Sequence, residues 1–477
     1  MRILASVVLS LTVGVLAAAS PLAAQSAPFN QGPRVTGPVS GGSKGRQFRS
    51  FAVDGADLLT PAGYVEEEFF VDGEARSYEA TSPLTSDGRW SVVAAPGTSA
   101  YRTRLVVRRP RDGKRFNGVV LVEWLNVTAG FDLDPDFVYA STELLRGGYA
   151  WVGVSAQRVS VTGGMPPGFG LKTWDPERYG TLVHPGDSYA YDIFSQAGVA
   201  VRASTGTRLL GPLRPRRVIA DGESQSAGFM VTYVNAVHPL AQVFDGFMIH
   251  SRSARSAPLS QAPQAVVPTP APVRIRTDLA TPVFVVQSET DVPGSLDARQ
   301  ADSDRFRLWE IAGTAHVDQY MSDLSNPVTQ RDLPTFPGFP CARPYNNGPH
   351  HWVFKAAVRA LDRWIADRVA PPKAGRLEIL PGPPPEIVRD AHGNARGGVR
   401  TPHVDVPVAT ISGSGNSPAL CALFGTTAPL NAQALAALYP QDEFRARFDA
   451  ATDQAVRAGF LLTADAADVK AGAVLPR

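Results

Sequence analysis

The stretch Arg217–Gly228 reads RVIADGESQSAG, an apolar run that passes through GESQS at 222–226 into small residues typical of a helix start. A serine at a tight turn between a strand and a helix holds its hydroxyl exposed above the edge of a sheet. Gly222 keeps such a turn compact, whereas Ser226 stands where a glycine is usual. Five residues of this kind also occur in ordinary polar turns. Ser224 is therefore only a candidate nucleophile, and the rest of the sequence must provide its catalytic partners.

Strand and helix patterns alternate on both sides of this turn. A continuous apolar run such as 118–126 suits a strand buried on both faces, and the segment 351–369 has the pattern of an amphipathic helix. Repeated units of this kind predict an α/β fold with a mostly parallel sheet, right-handed crossovers and helices on its faces. The predicted strands are 118–126, 150–155, 218–220, 243–250, 282–287 and 307–311, and the predicted helices are 137–146, 189–203, 226–237 and 351–369.

Both ends of the chain depart from this alternation. Residues 64–78 and 102–108 have strand patterns, with a hairpin signal at Asp72-Gly73, and they predict antiparallel edge strands. Residues 25–45 are rich in Gly, Pro and Ser and predict a flexible leader before a catalytic domain at 46–372. Residues 373–477 begin with a proline-rich stretch and predict an extension that packs on the core, and a role as a lid stays open.

A serine nucleophile needs a histidine base and an acid that orients the histidine. Asp291 and Glu289 follow the strand predicted at 282–287, and His316 follows the strand predicted at 307–311. The order serine, acid, histidine is the one found on sheets of this type. The carboxyl ends of parallel strands meet at one edge, so we expect Ser224, Asp291 and His316 to converge. Asp291 is the preferred acid, with Glu289 as the alternative.

Two N–H donors should face the carbonyl oxygen on which negative charge develops. The backbone amide of Gln225, directly after the candidate nucleophile, is one predicted donor. The second is expected from residues 127–130, which follow the strand at 118–126. The oxyanion hole is therefore predicted between the turn at Ser224 and this loop.

Composition and motifs exclude several other function classes. The 477 residues include 46 basic and 44 acidic side chains without basic runs, so a nucleic-acid partner is not expected. No HExxH or paired CxxC motif is present, and a catalytic metal or another cofactor is not expected. His184 and His250 could line a pocket, and His350-His351 are expected to pack or to lie exposed at a helix start rather than to bind metal.

The first residues and the two cysteines indicate the cellular compartment of the protein. Arg2 precedes an apolar run of 3–19 and then small residues, which predicts a signal peptide at 1–24 and a secreted or periplasmic protein. Cys341 and Cys421 are expected to form a disulfide in such a compartment. No later segment is apolar enough to predict membrane insertion after cleavage.

The chain resembles bacterial secreted α/β-hydrolase-domain proteins. The residues that carry the resemblance are VLVEWLNV at 120–127, ADGESQSAG at 220–228, VVQSETD at 285–291 and WEIAGTAH at 309–316. The resemblance implies a serine hydrolase of carboxylic esters with Ser224 as nucleophile, Asp291 as acid and His316 as base, acting on a small-molecule ester. The alternatives are an acyltransferase or a peptidase with the same three residues, or a noncatalytic binding protein of this fold.

Overall fold

Nine strands form the central sheet of the computed structural model, which describes residues 32–52, 57–164, 169–203 and 208–475. The predicted signal peptide at 1–24 lies outside the described residues. The strands are β1 (Arg34–Thr36), β2 (Tyr64–Ala75), β3 (Ser99–Pro110), β4 (Val119–Trp124), β5 (Ala150–Val154), β6 (Arg217–Glu223), β7 (Gly246–His250), β8 (Val283–Ser288) and β9 (Phe306–Ile311).

The spatial order of the strands is β1-β2-β3-β5-β4-β6-β7-β8-β9. In this order the last six strands, β5, β4, β6, β7, β8 and β9, are parallel to one another. The first three, β1, β2 and β3, are antiparallel to their neighbours. Every residue of β4, β5, β7, β8 and β9 is buried, which explains why most residues of these strands are apolar. The predicted α/β fold with antiparallel N-terminal strands is confirmed.

Helices cover both faces of the sheet. On one face, Phe137, Trp309 and Phe354 belong to a single buried cluster, and on the other Trp124 packs on Phe194 and Phe229. The described α-helices of six or more residues are α1 (Pro135–Arg146), α2 (Ala190–Arg202), α3 (Gln225–Thr232), α4 (Gln319–Asp332), α5 (His350–Asp367), α6 (Ala432–Leu438), α7 (Phe444–Arg457) and α8 (Ala466–Ala471).

Shorter elements fill the connections. The helix predicted at 226–237 begins at Gln225 and passes after Thr232 into a π-helical turn. The one-turn helices are Arg158–Thr162, Leu171–Trp174, Pro176–Tyr179, His238–Ala241, Val292–Ser295 and Pro402–Asp405, and the π-helical turn is Tyr233–Val237. Three small antiparallel pairs join Tyr78–Ala80 with Val92–Ala94, Ile379–Leu380 with Glu386–Ile387, and Ala409–Ser412 with Thr426–Pro429.

The predicted hairpin at Asp72-Gly73 is wrong, because β2 runs straight through both residues. Asp72 accepts hydrogen bonds from Arg34 at 3.0 Å and from Arg102 at 3.2 Å, so its charge is paired along the sheet. A Cβ at Gly73 would lie 2.8 Å from Gln196 Oε1, so this glycine allows α2 to approach the sheet. The glycine therefore serves packing rather than a turn.

The predicted leader at 25–45 also differs from the structure in its described part. Residues 34–36 form β1, which pairs with β2 through the register Val35 to Val71. Farther along, Asp175 accepts hydrogen bonds from the amides of Ser43 and Lys44 at 3.1 and 3.0 Å. These main-chain bonds to the sheet and to the Asp175 side chain account for the order of residues 34–45, which composition alone does not reveal.

The C-terminal segment 373–477 packs against the same core as the sheet. Val399 pairs with the end of β9, donating to the Glu310 carbonyl at 2.6 Å. Phe444 and Phe448 on α7 are buried in the cluster that contains Trp309. The role of this segment as a lid stays a prediction.

The disulfide expected from the sequence is present between Cys341 and Cys421, which are 80 residues apart. It connects the segment after α4 to the C-terminal segment. Among the described residues there is no helix of the length and apolarity that crossing a bilayer requires.

Candidate active site

Ser224 stands at the turn between β6 and α3, as the strand-turn-helix pattern predicts. Its backbone has φ 60° and ψ −115°, a region that residues other than glycine rarely occupy. The Ser224 amide donates to the His250 carbonyl at 2.9 Å, which fixes the turn to the end of β7. A Cβ at Gly222 would lie 3.3 Å from Ser226 Cβ, so the turn needs small residues at both positions.

The structure brings Ser224, His316 and Asp291 together at the carboxyl edge of the sheet. His316 Nε2 lies 2.8 Å from Ser224 Oγ, and His316 Nδ1 lies 2.6 Å from Asp291 Oδ1. The Ser288 hydroxyl donates to Asp291 Oδ2 at 2.5 Å and holds the carboxylate in place. This arrangement has the connectivity of a nucleophile, a base and the acid that orients the base.

Glu289, the alternative acid, lies elsewhere. Its Oε2 accepts from the Gly313 amide at 2.9 Å, and its Oε1 accepts from Arg389 at 2.7 Å and from the Gly413 amide at 3.1 Å. The carboxylate is almost fully buried and has an ionic partner in Arg389. Glu289 therefore joins the β8 and β9 loops to the C-terminal segment, and of the two candidate acids Asp291 is the one in contact with His316.

Glu223 is a second carboxylate at His316 that the sequence analysis did not identify. Its Oε1 lies 3.0 Å from His316 Nε2, the nitrogen that also faces Ser224 Oγ. The side chain is 4% exposed, and Asn126 Nδ2 donates to Glu223 Oε2 at 3.1 Å. An acidic residue directly before the candidate nucleophile is the signal that could have pointed to this contact.

The charges around His316 change two pKa values in opposite directions. Burial alone lowers the pKa of His316, but the carboxylates of Asp291 and Glu223 outweigh burial and raise it well above its usual value. Burial alone raises the pKa of Asp291, but His316 and the Ser288 hydroxyl outweigh burial and lower it to about 2. The site therefore stabilises the imidazolium form of His316, the charge state that forms when a histidine takes a proton from a serine.

The predicted oxyanion donors come from α3 and from the loop after β4. Gln225 is the first residue of α3, where backbone N–H groups have no partner within the helix. In the loop after β4, the Thr128 amide donates to Asn126 Oδ1 at 2.8 Å and the Gly130 amide donates to the Val127 carbonyl at 2.9 Å. Of residues 127–130, this leaves the amides of Val127 and Ala129 as candidates for the second donor.

The other histidines considered from the sequence occupy different surroundings. His184 lines an open cleft of about 380 Å³ together with Arg158 and Lys172. His351 packs flat against the Tyr320 ring at 3.8 Å between centroids. His250 and His350 are completely buried behind His316 and contact each other, an arrangement the sequence analysis did not predict.

A comparison with known protein families agrees with the architecture. A family model described as an alpha/beta hydrolase domain matches residues 35–471, across the boundary that the sequence analysis places at 372. No curated protein matches the chain.

Among solved structures, the chain is similar to an α/β serine hydrolase without a lid from Xanthomonas campestris, with 16% identity, TM-score 0.29, and 55% of this chain and 97% of that chain covered. It is also similar to a carboxylesterase from Lactobacillus plantarum WCFS1, with 9% identity, TM-score 0.24, and 55% and 78% covered. Because the family model spans most of the sequence, the chain belongs to the alpha/beta hydrolase domain family.

Proposed function

We propose that this protein is a serine hydrolase that cleaves carboxylic esters through Ser224, His316 and Asp291. The observation that carries the proposal is the continuous contact from Ser224 Oγ through the imidazole of His316 to Asp291. The strained backbone of Ser224 and the membership of the alpha/beta hydrolase family support it.

The reaction follows from these positions. His316 Nε2 takes the proton of the Ser224 hydroxyl while Oγ attacks the ester carbonyl, and the amide of Gln225 donates to the oxygen that becomes negative. The protonated His316 then gives its proton to the departing alcohol oxygen, which leaves an acyl group on Ser224. Water, deprotonated by His316, then attacks that acyl group, and His316 returns the proton to Ser224 Oγ as the bond to the acyl group breaks and the acid is released. Asp291 orients His316 throughout, and no cofactor enters these steps.

Labelling with a fluorophosphonate probe tests the nucleophile, because the probe bonds to a serine that a neighbouring base activates. We expect wild type to be labelled, and we expect Ser224→Ala to lose labelling and to lower kcat on p-nitrophenyl acetate by roughly 10⁴-fold or more. Ser226→Ala is the matched control: within the described part of the chain its buried hydroxyl has no hydrogen-bond partner, so labelling should persist. Unlabelled wild type, or equal labelling of Ser224→Ala, would refute the proposal.

A second pair of variants tests the acid. Asp291→Asn should lower kcat by about 10⁴-fold, because the amide favours the wrong histidine tautomer. Glu289→Gln should cause a much smaller loss, because Glu289 contacts loop amides and Arg389 rather than His316. Hydrolysis of p-nitrophenyl acetate by both purified variants measures the difference, and a larger loss in Glu289→Gln would contradict the assignment.

We also propose that the protein is exported. The apolar N-terminal segment with small residues before position 25 and the Cys341–Cys421 disulfide support this compartment. Fractionation of cells that express the full chain, with N-terminal sequencing of the product, tests it. A product that begins near residue 25 in the periplasm or medium is expected, and an uncleaved cytoplasmic product would contradict export.

A further inference from the structure

Three buried side chains outside the Ser-His-Asp group join end to end behind it. Asp136 Oδ1, at the start of α1, lies 2.6 Å from His250 Nδ1 at the end of β7. His250 Nε2 lies 2.8 Å from Nε2 of His350, the first residue of α5. His350 Nδ1 in turn lies 2.9 Å from the carbonyl oxygen of Ala315. We call Asp136, His250 and His350 the buried relay; each is at most 1% exposed.

The buried relay touches the backbone on both sides of the Ser224–His316 contact. Ala315 directly precedes His316, so its carbonyl belongs to the peptide that carries the base. The carbonyl of His250 accepts the Ser224 amide at 2.9 Å, so the same histidine holds the nucleophile turn. The relay therefore connects the turn at Ser224 to the loop at His316 through side chains of three different elements.

Aromatic side chains enclose the relay. Phe354 stacks on the His250 ring at 4.3 Å, and Tyr139 packs on the His350 ring at 4.4 Å. The Tyr139 hydroxyl also donates to the His316 carbonyl at 3.2 Å. Because the interior is closely packed, the two rings have little freedom to rotate, and their hydrogen bonds keep a defined direction.

The positions of the hydrogen atoms in the buried relay follow from the contact between His350 and the Ala315 carbonyl. A carbonyl oxygen only accepts, so His350 Nδ1 carries a hydrogen. In neutral His350 the Nε2 atom is then an acceptor, so His250 Nε2 donates to it and His250 Nδ1 accepts from a protonated Asp136. Burial lowers the pKa of His250 to about 4 and the pKa of His350 well below its usual value, and burial raises the pKa of Asp136. All three residues are therefore neutral, and every hydrogen bond points toward Ala315.

We propose that Asp136, His250 and His350 are positioning residues that hold the Ala315 carbonyl, and with it the His316 imidazole, in line with Ser224. This inference rests on the proposed serine hydrolase function. Misplacing a base by about 1 Å can cost on the order of 10²-fold in rate. None of the three side chains touches Ser224 Oγ or the His316 ring in these contacts, so they act on the rate through the loop.

Isosteric variants of His350 test which of its two contacts matters. The amide of asparagine occupies the region of the ring Nδ1, and the amide of glutamine reaches the region of Nε2. His350→Asn can still donate to Ala315, and we expect kcat on p-nitrophenyl acetate to stay within about fivefold of wild type. His350→Gln leaves the Ala315 carbonyl without its donor, and we expect kcat to fall by roughly 10- to 100-fold with little change in KM.

At His250 the opposite result is expected: the glutamine variant should have a higher kcat than the asparagine variant. There the contact toward Ala315 runs through Nε2, so His250→Gln should keep more activity than His250→Asn. Asp136→Asn supplies an N–H in place of the carboxyl O–H and should stay close to wild type. A role in stability alone would give the same order in thermal unfolding, so the opposite preferences count only for activity per folded protein.

Each variant is measured for kcat, KM, the rate of fluorophosphonate labelling and thermal unfolding, and activities are referred to the folded fraction. The same order of Asn and Gln at both histidines, losses confined to KM, or losses that match the unfolded fraction would overturn the inference. If a His350 variant does not fold, the His250 pair decides alone. Failure of wild type to label would refute the proposed function, whereas equal rates in labelled wild type and all variants would refute only the positioning role.

Discussion

At the scale of single residues, the main feature is that one nitrogen of His316 serves two partners. Nε2 faces Ser224 Oγ at 2.8 Å and Glu223 Oε1 at 3.0 Å, while Asp291 holds Nδ1. Glu223 stabilises the imidazolium form of His316, whether that form exists at rest or arises when His316 takes the serine proton in the proposed reaction. A histidine already protonated at rest cannot act as a base, so Glu223 links the proposed activity to pH.

Replacing Glu223 by glutamine should shift the pH profile. The neutral base form of His316 exists only above its raised pKa, so kcat/KM should increase as pH rises through that pKa. Glu223→Gln removes one of the charges that raise the pKa, and the increase should then occur at lower pH. Profiles of kcat/KM on p-nitrophenyl acetate measure this, with Glu289→Gln as a control that should leave the midpoint unchanged. A midpoint that stays in place or moves to higher pH in Glu223→Gln would contradict the assignment.

At the scale of elements, the turn between β6 and α3 combines strain with close packing. Ser224 occupies a backbone region that costs on the order of 1–3 kcal/mol, and such strain persists only where the surroundings determine the conformation. The hydrogen bond from the Ser224 amide to β7 and the close packing of Gly222 on Ser226 hold the backbone of Ser224 in this conformation. The sequence pattern of the turn is therefore a packing requirement.

Adding one methyl group at Gly222 tests that requirement. The new Cβ would lie 3.0 Å from Met230 Cγ and 3.3 Å from Ser226 Cβ, so Gly222→Ala should lower the free energy of unfolding by about 1–3 kcal/mol. Gly294→Ala is the matched control, because apart from its chain neighbours and its own helix no described atom lies within 4 Å of the added Cβ, and it should be neutral or stabilising by about 0.5 kcal/mol. Urea unfolding of both variants measures the difference, and equal stability would show that the turn can accommodate the methyl group.

At the scale of the whole molecule, the C-terminal segment supports the loops of the candidate site. The Gly413 amide donates to Glu289, and the Gly413 carbonyl accepts from the Thr290 hydroxyl at 2.6 Å, next to Asp291. The Val317 amide, next to His316, donates to the Leu423 carbonyl at 3.0 Å. Segments distant in sequence therefore hold the two loops that bring the acid and the base to Ser224.

Removing the disulfide should weaken this support. Cys341 and Cys421 close a loop of 80 residues, so a Cys341→Ser/Cys421→Ser double variant should lower the free energy of unfolding by about 2–5 kcal/mol. Urea unfolding of the variant and of oxidised wild type measures the loss. Wild type treated with a reductant should lose the same amount, and an unchanged midpoint in both samples would contradict the stabilising role.

Residue order and periodicity were enough to predict the sheet and the candidate residues Ser224, Asp291 and His316. The strand runs are buried on both faces, so they are rich in apolar residues whatever their partners are. Residues 224, 291 and 316 lie one, three and five residues after the ends of three of these strands. The prediction of a hairpin at Asp72-Gly73 was wrong, because the sequence does not distinguish a turn glycine from a glycine that leaves room for a neighbouring side chain. The choice between Asp291 and Glu289 needed the positions of Arg389 and Gly413, more than 95 residues away.

The sequence by itself determined the α/β alternation, the serine turn and the order of its partners, because each depends on neighbouring residues or on where a strand ends. Only the tertiary structure decided which carboxylates meet His316 and that Asp136, His250 and His350 join behind it. These contacts bring together α1, β7, β9 and α5, elements separated by tens to hundreds of residues. No local pattern encodes such contacts, because they arise from the packing of whole elements against one another.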